Sequence, residues 1–268
     1  MEPPLAGGSR RRIGISVSDF PQSGGSAAQK NKLQPHLKKT WCIGNMNAEF
    51  IARMEAILAL YALPYDAKRP VLCFDERPCF LIGEAVTGFA MKSGTVKKEH
   101  YAYEKNGSCS VLATIEPKTG KRIAEVCTQR RKVEFAQHLQ KVANEYAKAE
   151  KIILILDNLN THQTSSFYET FPAAEARRLT EKFEFHYTPK SASWLNMIEI
   201  EFSALSRLCL NRRIPTQAEL ATEVLSLVTE RSKKGIKIDW QFSIARARQK
   251  LNRHYTKLHS DNIFYQET

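Results

Sequence analysis

The chain has 268 residues, a length that suits one large domain or one domain with part of another. Hydrophobic residues make up 43% of it, enough for a packed core, which excludes a wholly disordered chain. The formal net charge of +12 favours an anionic partner, nucleic acid first among them, although excess Lys also serves simply to solubilise a fold.

Residues 1 to about 32 differ from the rest. They are rich in Gly, Ser and Pro and carry little apolar periodicity. Residues 1–40 hold seven Lys/Arg against two acids and read as a basic flexible segment or the remnant of a DNA-binding domain. Residues 41–268 read as the folded domain. From Asn47 to Ala62, apolar residues recur at helical spacing, and Pro64 stops the helix. Val71 to Asp75 is a short apolar strand ending in an acid. Phe80 to Val86 reads as another strand or an arm, and Ser93 to His100 as a loop.

Ser110–Glu116 and Arg122–Thr128 flank the link PKTGK and predict a hairpin. Lys132–Lys148 predicts a helix. KIILILDN then runs apolar without alternation, the mark of a strand buried on both faces, and ends in Asp157. A helix near 172–182, a strand at Phe183–Tyr187, and helices at Trp194–Leu210, Thr216–Arg231 and Ser243–Leu251 follow. Thr216 with Glu219 makes a capping box. Antiparallel strands followed by parallel strands with helical crossovers give an α/β fold, a mixed sheet flanked by helices, and the order fits a ribonuclease H-like fold.

Six cysteines include no C-x-x-C pair, so a zinc site is not expected. Cys73, Cys109 and Cys127 lie in strand-like runs and read as core residues. No apolar run is long enough to span a bilayer, so no membrane partner is expected and the cytoplasm is the default compartment.

Three acids stand out by position: Asp75 at the end of one strand, Asp157 at the end of the buried one, and Glu199 near the start of a later helix. Ligand sites in open sheets gather at the carboxyl ends of strands. If the two strands lie parallel and adjacent, both aspartates emerge at one edge, and a helix over that edge adds the third. Three close carboxylates repel one another unless a cation sits between them, and hard oxygen ligands suit Mg²⁺ or Mn²⁺. Two such ions serve phosphodiester chemistry. An Asp that ends a strand also serves as a turn residue or helix cap, and each residue taken alone leaves that reading open.

In order along the chain, VLCFDERP (71–78), YAYEKNGSCSVL (101–112), LDNLNTH (156–162) and HYTPKSASWLNMIEIEFSALSRLCL (186–210) resemble DDE transposases of the mariner superfamily, in particular the bacterial insertion sequence 630 family. MEAILALYALPYDAKRPV and DWQFSIARARQKL add to a resemblance that covers roughly residues 33–255. It implies a ribonuclease H-like core with two divalent metal ions and cut-and-paste transposition of double-stranded DNA. It also implies a homodimer on DNA and a place at the bacterial nucleoid. Asp75, Asp157 and Glu199 become the catalytic and metal-holding acids. Glu199 is chosen over Glu201 by the pattern Tyr187-Thr188-Pro189 … Leu195-Asn196-x-Ile198-Glu199. Helix geometry leaves the two glutamates on opposite flanks of one apolar stripe, and Glu201 then reads as a solvated or salt-bridged residue.

Asn158 and His162 read either as groups that orient Asp157 or touch phosphate, or as a capping Asn and a partly exposed His. Asn196 belongs to the motif of the third acid. Lys190, Arg246, Arg248 and Lys250, with Arg253, are candidate phosphate contacts against the alternative of a solvated face. Trp194 reads as a base-stacking residue or, more commonly at a helix start, a core residue. Family members carry an N-terminal helix-turn-helix region, and no paired helices are legible before Leu33. The chain therefore reads as a transposase catalytic domain or, alternatively, as a catalytically silent remnant that binds DNA or a partner transposase.

Overall fold

The computed structural model describes residues 46–259, except 90, 91, 95, 97 and 99, together with 261–262. The expected basic segment at 1–40 lies outside the described residues.

Helix α1 (Ala48–Ala62) starts on Asn47, whose side chain accepts from the Phe50 N–H at 2.8 Å. Five strands follow: β1 (Val71–Glu84), β2 (Tyr103–Ile115), β3 (Arg122–Cys127), β4 (Ile152–Leu156) and β5 (Phe183–Tyr187). They form one sheet in the order β3-β2-β1-β4-β5. β1, β2 and β3 are antiparallel neighbours; β4 and β5 run parallel to β1. Helices α2 (Lys132–Glu145), α3 (Ser165–Thr170) and α4 (Ala173–Lys182) make the crossovers. Then come α5 (Ile198–Leu208), α6 (Gln217–Lys233), α7 (Ile244–Lys250) and α8 (Asn252–Leu258).

The alternation of strand side chains splits the core in two. Cys73, Val111, Ala113, Ile115 and Ile155 face α1, α5, α6 and the α7–α8 pair. Leu72, Phe74, Leu112, Leu154 and Leu156 face α2, α3 and α4. Both layers are apolar, so β4 is buried along its whole length, as its sequence predicts.

The strand expected to end at Asp75 instead runs on to Glu84, and the separate element expected at 80–86 is its continuation. β2 pairs with it over that whole length, whereas β4 is paired only as far as Cys73. Beyond that point no strand pairs with that edge of β1 among the described residues, so Pro78 is tolerated there, although further along the Ile82 N–H donates to the Ile214 carbonyl at 2.8 Å. The register slips between Leu81 and Ile82, opposite Gly107 at φ 113, a bulge that only the longer β2 reveals. The β2–β3 link closes with the Gly120 N–H donating to the Glu116 carbonyl at 2.8 Å. A Cβ at Gly120 would meet the Ile236 carbonyl oxygen at 2.7 Å.

The predicted helix at 194–210 is broken in two: a 3₁₀ turn at Ser193–Leu195, then α5 from Ile198. Asn196 between them is extended (φ −83, ψ 113), and its side chain bonds the Phe74 carbonyl. The helix predicted at 243–251 is α7, capped at Ser243 and Leu251, but it is not the last: α8 follows it from Asn252. Cys73 and Cys109 are buried as expected; Cys127 is only half-buried.

Candidate active site

In the parallel pairing, Leu72 lies opposite Leu154 and Cys73 opposite Ile155. Two residues further on, the same register sets Asp75 beside Asp157, where β4 leaves the sheet. Asp75 follows Cys73 in the alternation, so it belongs to the face that α5 covers. Glu199 stands in the first turn of α5.

Asn196 fixes that helix to the strand. Its Nδ2 donates to the carbonyl of Phe74, the residue before Asp75, at 2.8 Å. Its Oδ1 accepts from the Ile198 N–H at 3.5 Å. Tyr61 of α1 adds a second tie, its hydroxyl donating to the Leu195 carbonyl at 2.7 Å. At the other end of the loop, the Thr188 N–H donates to the Leu156 carbonyl at 2.9 Å, which extends the β4–β5 pairing up to Pro189.

The three carboxylates feel one another. Burial pushes the Asp75 carboxyl up, the Asp157 and Glu199 charges push it further, and the bond from the Glu76 N–H at 2.7 Å and the His162 charge offset them only in part. The result is a value of about 7. Glu199 itself is half-buried and makes no ion pair or side-chain hydrogen bond among the described residues.

Glu201 is the opposite case. It is 1% exposed and salt-bridged, so of the two expectations for it the solvated one fails and the salt-bridged one holds. Arg231 of α6 donates to both its oxygens, at 2.8 and 3.0 Å, and Arg122 of β3 lies 3.0 Å from Oε2. Burial alone would raise its pKa, but those two guanidiniums hold it below the usual carboxylate range. Glu201 therefore locks α5 to β3 and α6, while Glu199 is left to face the aspartates.

The expectation of a partly exposed His162 also fails, since it is fully buried. Its Nδ1 lies 2.5 Å from Asp157 Oδ1 and its Nε2 3.3 Å from Glu76 Oε1. Burial would lower its pKa, but the two carboxylates outweigh burial and raise it to about 9. Asn158 is exposed on the loop that follows Asp157. Lys190 is exposed beside Ser191, whose φ of 62 makes the tight turn out of β5.

Trp194 is 39% exposed and sets its ring edge-on to Phe242 at 5.5 Å, so it is not a core residue. Arg246, Lys250 and Arg253 are exposed on α7 and α8. Arg248 is not a solvated charge: its guanidinium makes a two-pronged bond to Glu55 of α1, at 2.8 and 2.9 Å. Sequence reasoning missed Glu76 and Tyr61. The available signal for Glu76 was an acid at a position (72, 74, 76) whose other members are apolar.

The donor set at Asp75, Asp157 and Glu199 fits a hard divalent cation in kind: oxygens only, one of them on a carboxyl whose ionisation burial and repulsion oppose. As the side chains stand, no three His, Cys, Asp or Glu among the described residues are drawn close enough together to hold an ion.

Fold and site together define a ribonuclease H-like domain with an acidic centre where the parallel pairing of β1 and β4 ends. Residues 70–221, more than half of the chain, match the DDE superfamily endonuclease model, and the chain belongs to that family. Among solved structures it is similar to the Mos1 transposase paired-end complex with the left transposon end. The TM-score is 0.52 at 12% identity, over 91% of this chain and 72% of that one. It is similar also to the Mos1 strand transfer complex, with a TM-score of 0.53 at 12% identity, over 91% and 71%. At that identity the likeness is one of fold. No curated protein sequence matches.

Proposed function

We propose that the chain is the catalytic domain of a DNA transposase of the mariner superfamily, of the kind found in the bacterial insertion sequence 630 family and acting at the nucleoid. The observation that carries this reading is that Asp75 feels the charges of Asp157 and Glu199, which come from two other elements, with Glu199 unpaired among the described residues and Glu201 bound up in the core. The family match over 70–221 and the fold shared with Mos1 transposase support it.

Asp75, Asp157 and Glu199 would hold two divalent cations, Mg²⁺ or Mn²⁺, which when bound supply the charge that activates an attacking oxygen and stabilises the leaving one. The chain's own part is positioning. β1 carries Asp75 rigidly, Asn196 sets the start of α5 against it, and His162 holds one oxygen of Asp157. Half-burial lowers the effective dielectric around the acids, which strengthens charge interactions there. The reaction is strand cleavage by water at a transposon end, then attack of the freed 3′-hydroxyl on target DNA. Lys190, Asn158, Arg246 and Lys250, all exposed, would touch phosphate without reading sequence. Two ends must be held at once, so the working form is a homodimer on double-stranded DNA.

The test is a labelled duplex with a free 3′-hydroxyl, incubated with supercoiled plasmid and Mg²⁺ or Mn²⁺. Label joined covalently to plasmid supports the transposase reading. Nicking without joining restricts the chain to nuclease chemistry. Neither, from folded protein that binds DNA, contradicts the proposal and leaves a silent DNA-binding remnant.

A further inference from the structure

Asp75 and Glu76 are consecutive in β1 and so face opposite sides of the sheet. Asp75 belongs to the acidic centre. Glu76 follows Leu72 and Phe74 onto the other face, where its side chain is only 2% exposed. A carboxylate there is costly unless it is paired and hydrogen-bonded. Its Oε2 has no hydrogen-bond partner among the described residues. Its Oε1 has one, the Nε2 of His162.

His162 is held on every side. Its ring stacks on Phe135 at 4.8 Å and meets Phe74 edge-on at 5.3 Å. Its N–H donates to the Leu159 carbonyl at 2.9 Å, and its carbonyl accepts from the Tyr187 hydroxyl at 2.8 Å. The nitrogen that does not face Glu76 faces Asp157 Oδ1, and this is the one side-chain hydrogen bond that Asp157 makes among the described residues. Asp157 has already left β4, so the sheet no longer fixes its direction.

We propose that Glu76 is a positioning residue: from the opposite face of the sheet it orients His162, and through His162 it sets the carboxylate of Asp157 relative to Asp75 and Glu199. This rests on the reading of those three acids as a metal-holding centre. A plain buried ion pair would also explain the burial of Glu76 and His162, but it assigns no consequence to Asp157. Partners one step behind a metal ligand typically alter metal affinity about 10–100-fold when removed.

The experiment is titration of the full chain with Mn²⁺, read by the electron paramagnetic resonance of free Mn²⁺, for wild type, Glu76→Gln and Glu76→Leu. Thermal unfolding is run in parallel, and nicking kinetics are measured on the same samples. Gln retains an acceptor for the imidazole; Leu suits the apolar face but offers none. The expected result is Mn²⁺ affinity weaker in Glu76→Leu by up to about 10-fold, the low end for a partner one step behind a ligand, because Glu76 acts through His162. Its kcat falls with the KM for DNA unchanged, and Glu76→Gln recovers most of both. In a His162→Ala background the Leu substitution adds nothing further, because the lever is already gone.

Glu76→Leu that binds Mn²⁺ as wild type does, or a loss that only tracks the unfolded fraction, overturns the proposal. So does an undiminished effect of Glu76→Ala in the His162→Ala background, a comparison that stands even if Glu76→Leu does not fold. Wild type that binds no Mn²⁺ at all is a different failure: it removes the metal-holding reading itself, and this proposal with it.

Discussion

Glu199 and Glu201 stand two residues apart on α5 and could not differ more in surroundings. Glu201 neutralises Arg122, a guanidinium 2% exposed, so its removal leaves that charge buried and uncompensated. Glu201→Gln is expected to cost about 3–5 kcal/mol of stability, measured by urea unfolding, whereas Glu199→Gln leaves the midpoint near wild type. Asp75 carries a testable pH signature. Its folded-state pKa of about 7 lies above the ordinary carboxylate value, so the folded form binds more protons and stability falls as pH rises between the two values. Asp75→Asn should therefore melt higher than wild type at pH 8, by an increment that builds up between pH of about 4 and about 7 and vanishes below it. Added Mg²⁺ should narrow the gap by stabilising wild type alone; a melting difference that does not change with pH would contradict this. At this scale the sequence named the three acids, with the help of motif resemblance. It could not show that Glu201 is buried, because the two arginines that neutralise it come from 79 residues before and 30 residues after it in the chain.

At the scale of elements, Asn196 decides where α5 begins. Asn196 is extended while its side chain bonds the Phe74 carbonyl of β1, and the predicted single helix from Trp194 becomes a turn and a helix. Asn196→Ala leaves the Phe74 carbonyl without that donor in a buried place. The expected cost is about 1–3 kcal/mol by urea unfolding, together with a fall in kcat for nicking, since Glu199 loses its fixed approach to Asp75. An Asn196→Ala protein with unchanged kcat would contradict the role given to that bond. Most elements were legible in advance. α1, α2, α4, β4, β5 and α6 follow from apolar spacing and caps, including the bond from the Glu219 N–H to the Thr216 hydroxyl. The length of β1, the outer half of β2 and helix α3 were not. Their exposed or mixed residues carry no clear period, and the pairing of β1 with β2 is a long-range fact.

Across the whole molecule, positive charge is unevenly available. Many Lys and Arg are already paired, and Arg248 is one of them. Phosphate binding should depend on the exposed set. Arg246→Ala and Lys250→Ala are each expected to make the slope of log affinity against log salt shallower by about 0.9 for every phosphate that the side chain neutralises. Arg248→Ala should instead lower stability by removing the tie to Glu55, and leave that slope unchanged. The five-strand mixed sheet and its flanking helices were legible from element order, because a run without alternation such as β4 requires cover on both faces. The split of the core into two apolar layers, and the place of Glu76 on the far side of the sheet from Asp75, were not.

The most direct test of the central claim is nicking of supercoiled plasmid by wild type, Glu199→Gln and Glu201→Gln, each shown to be folded, with Mg²⁺ or Mn²⁺ and with EDTA. The expected result is metal-dependent nicking by wild type, abolished by EDTA and by Glu199→Gln, and retained per folded molecule by Glu201→Gln. Nicking that survives Glu199→Gln, or that is lost in folded Glu201→Gln alone, would contradict the assignment of the third acid.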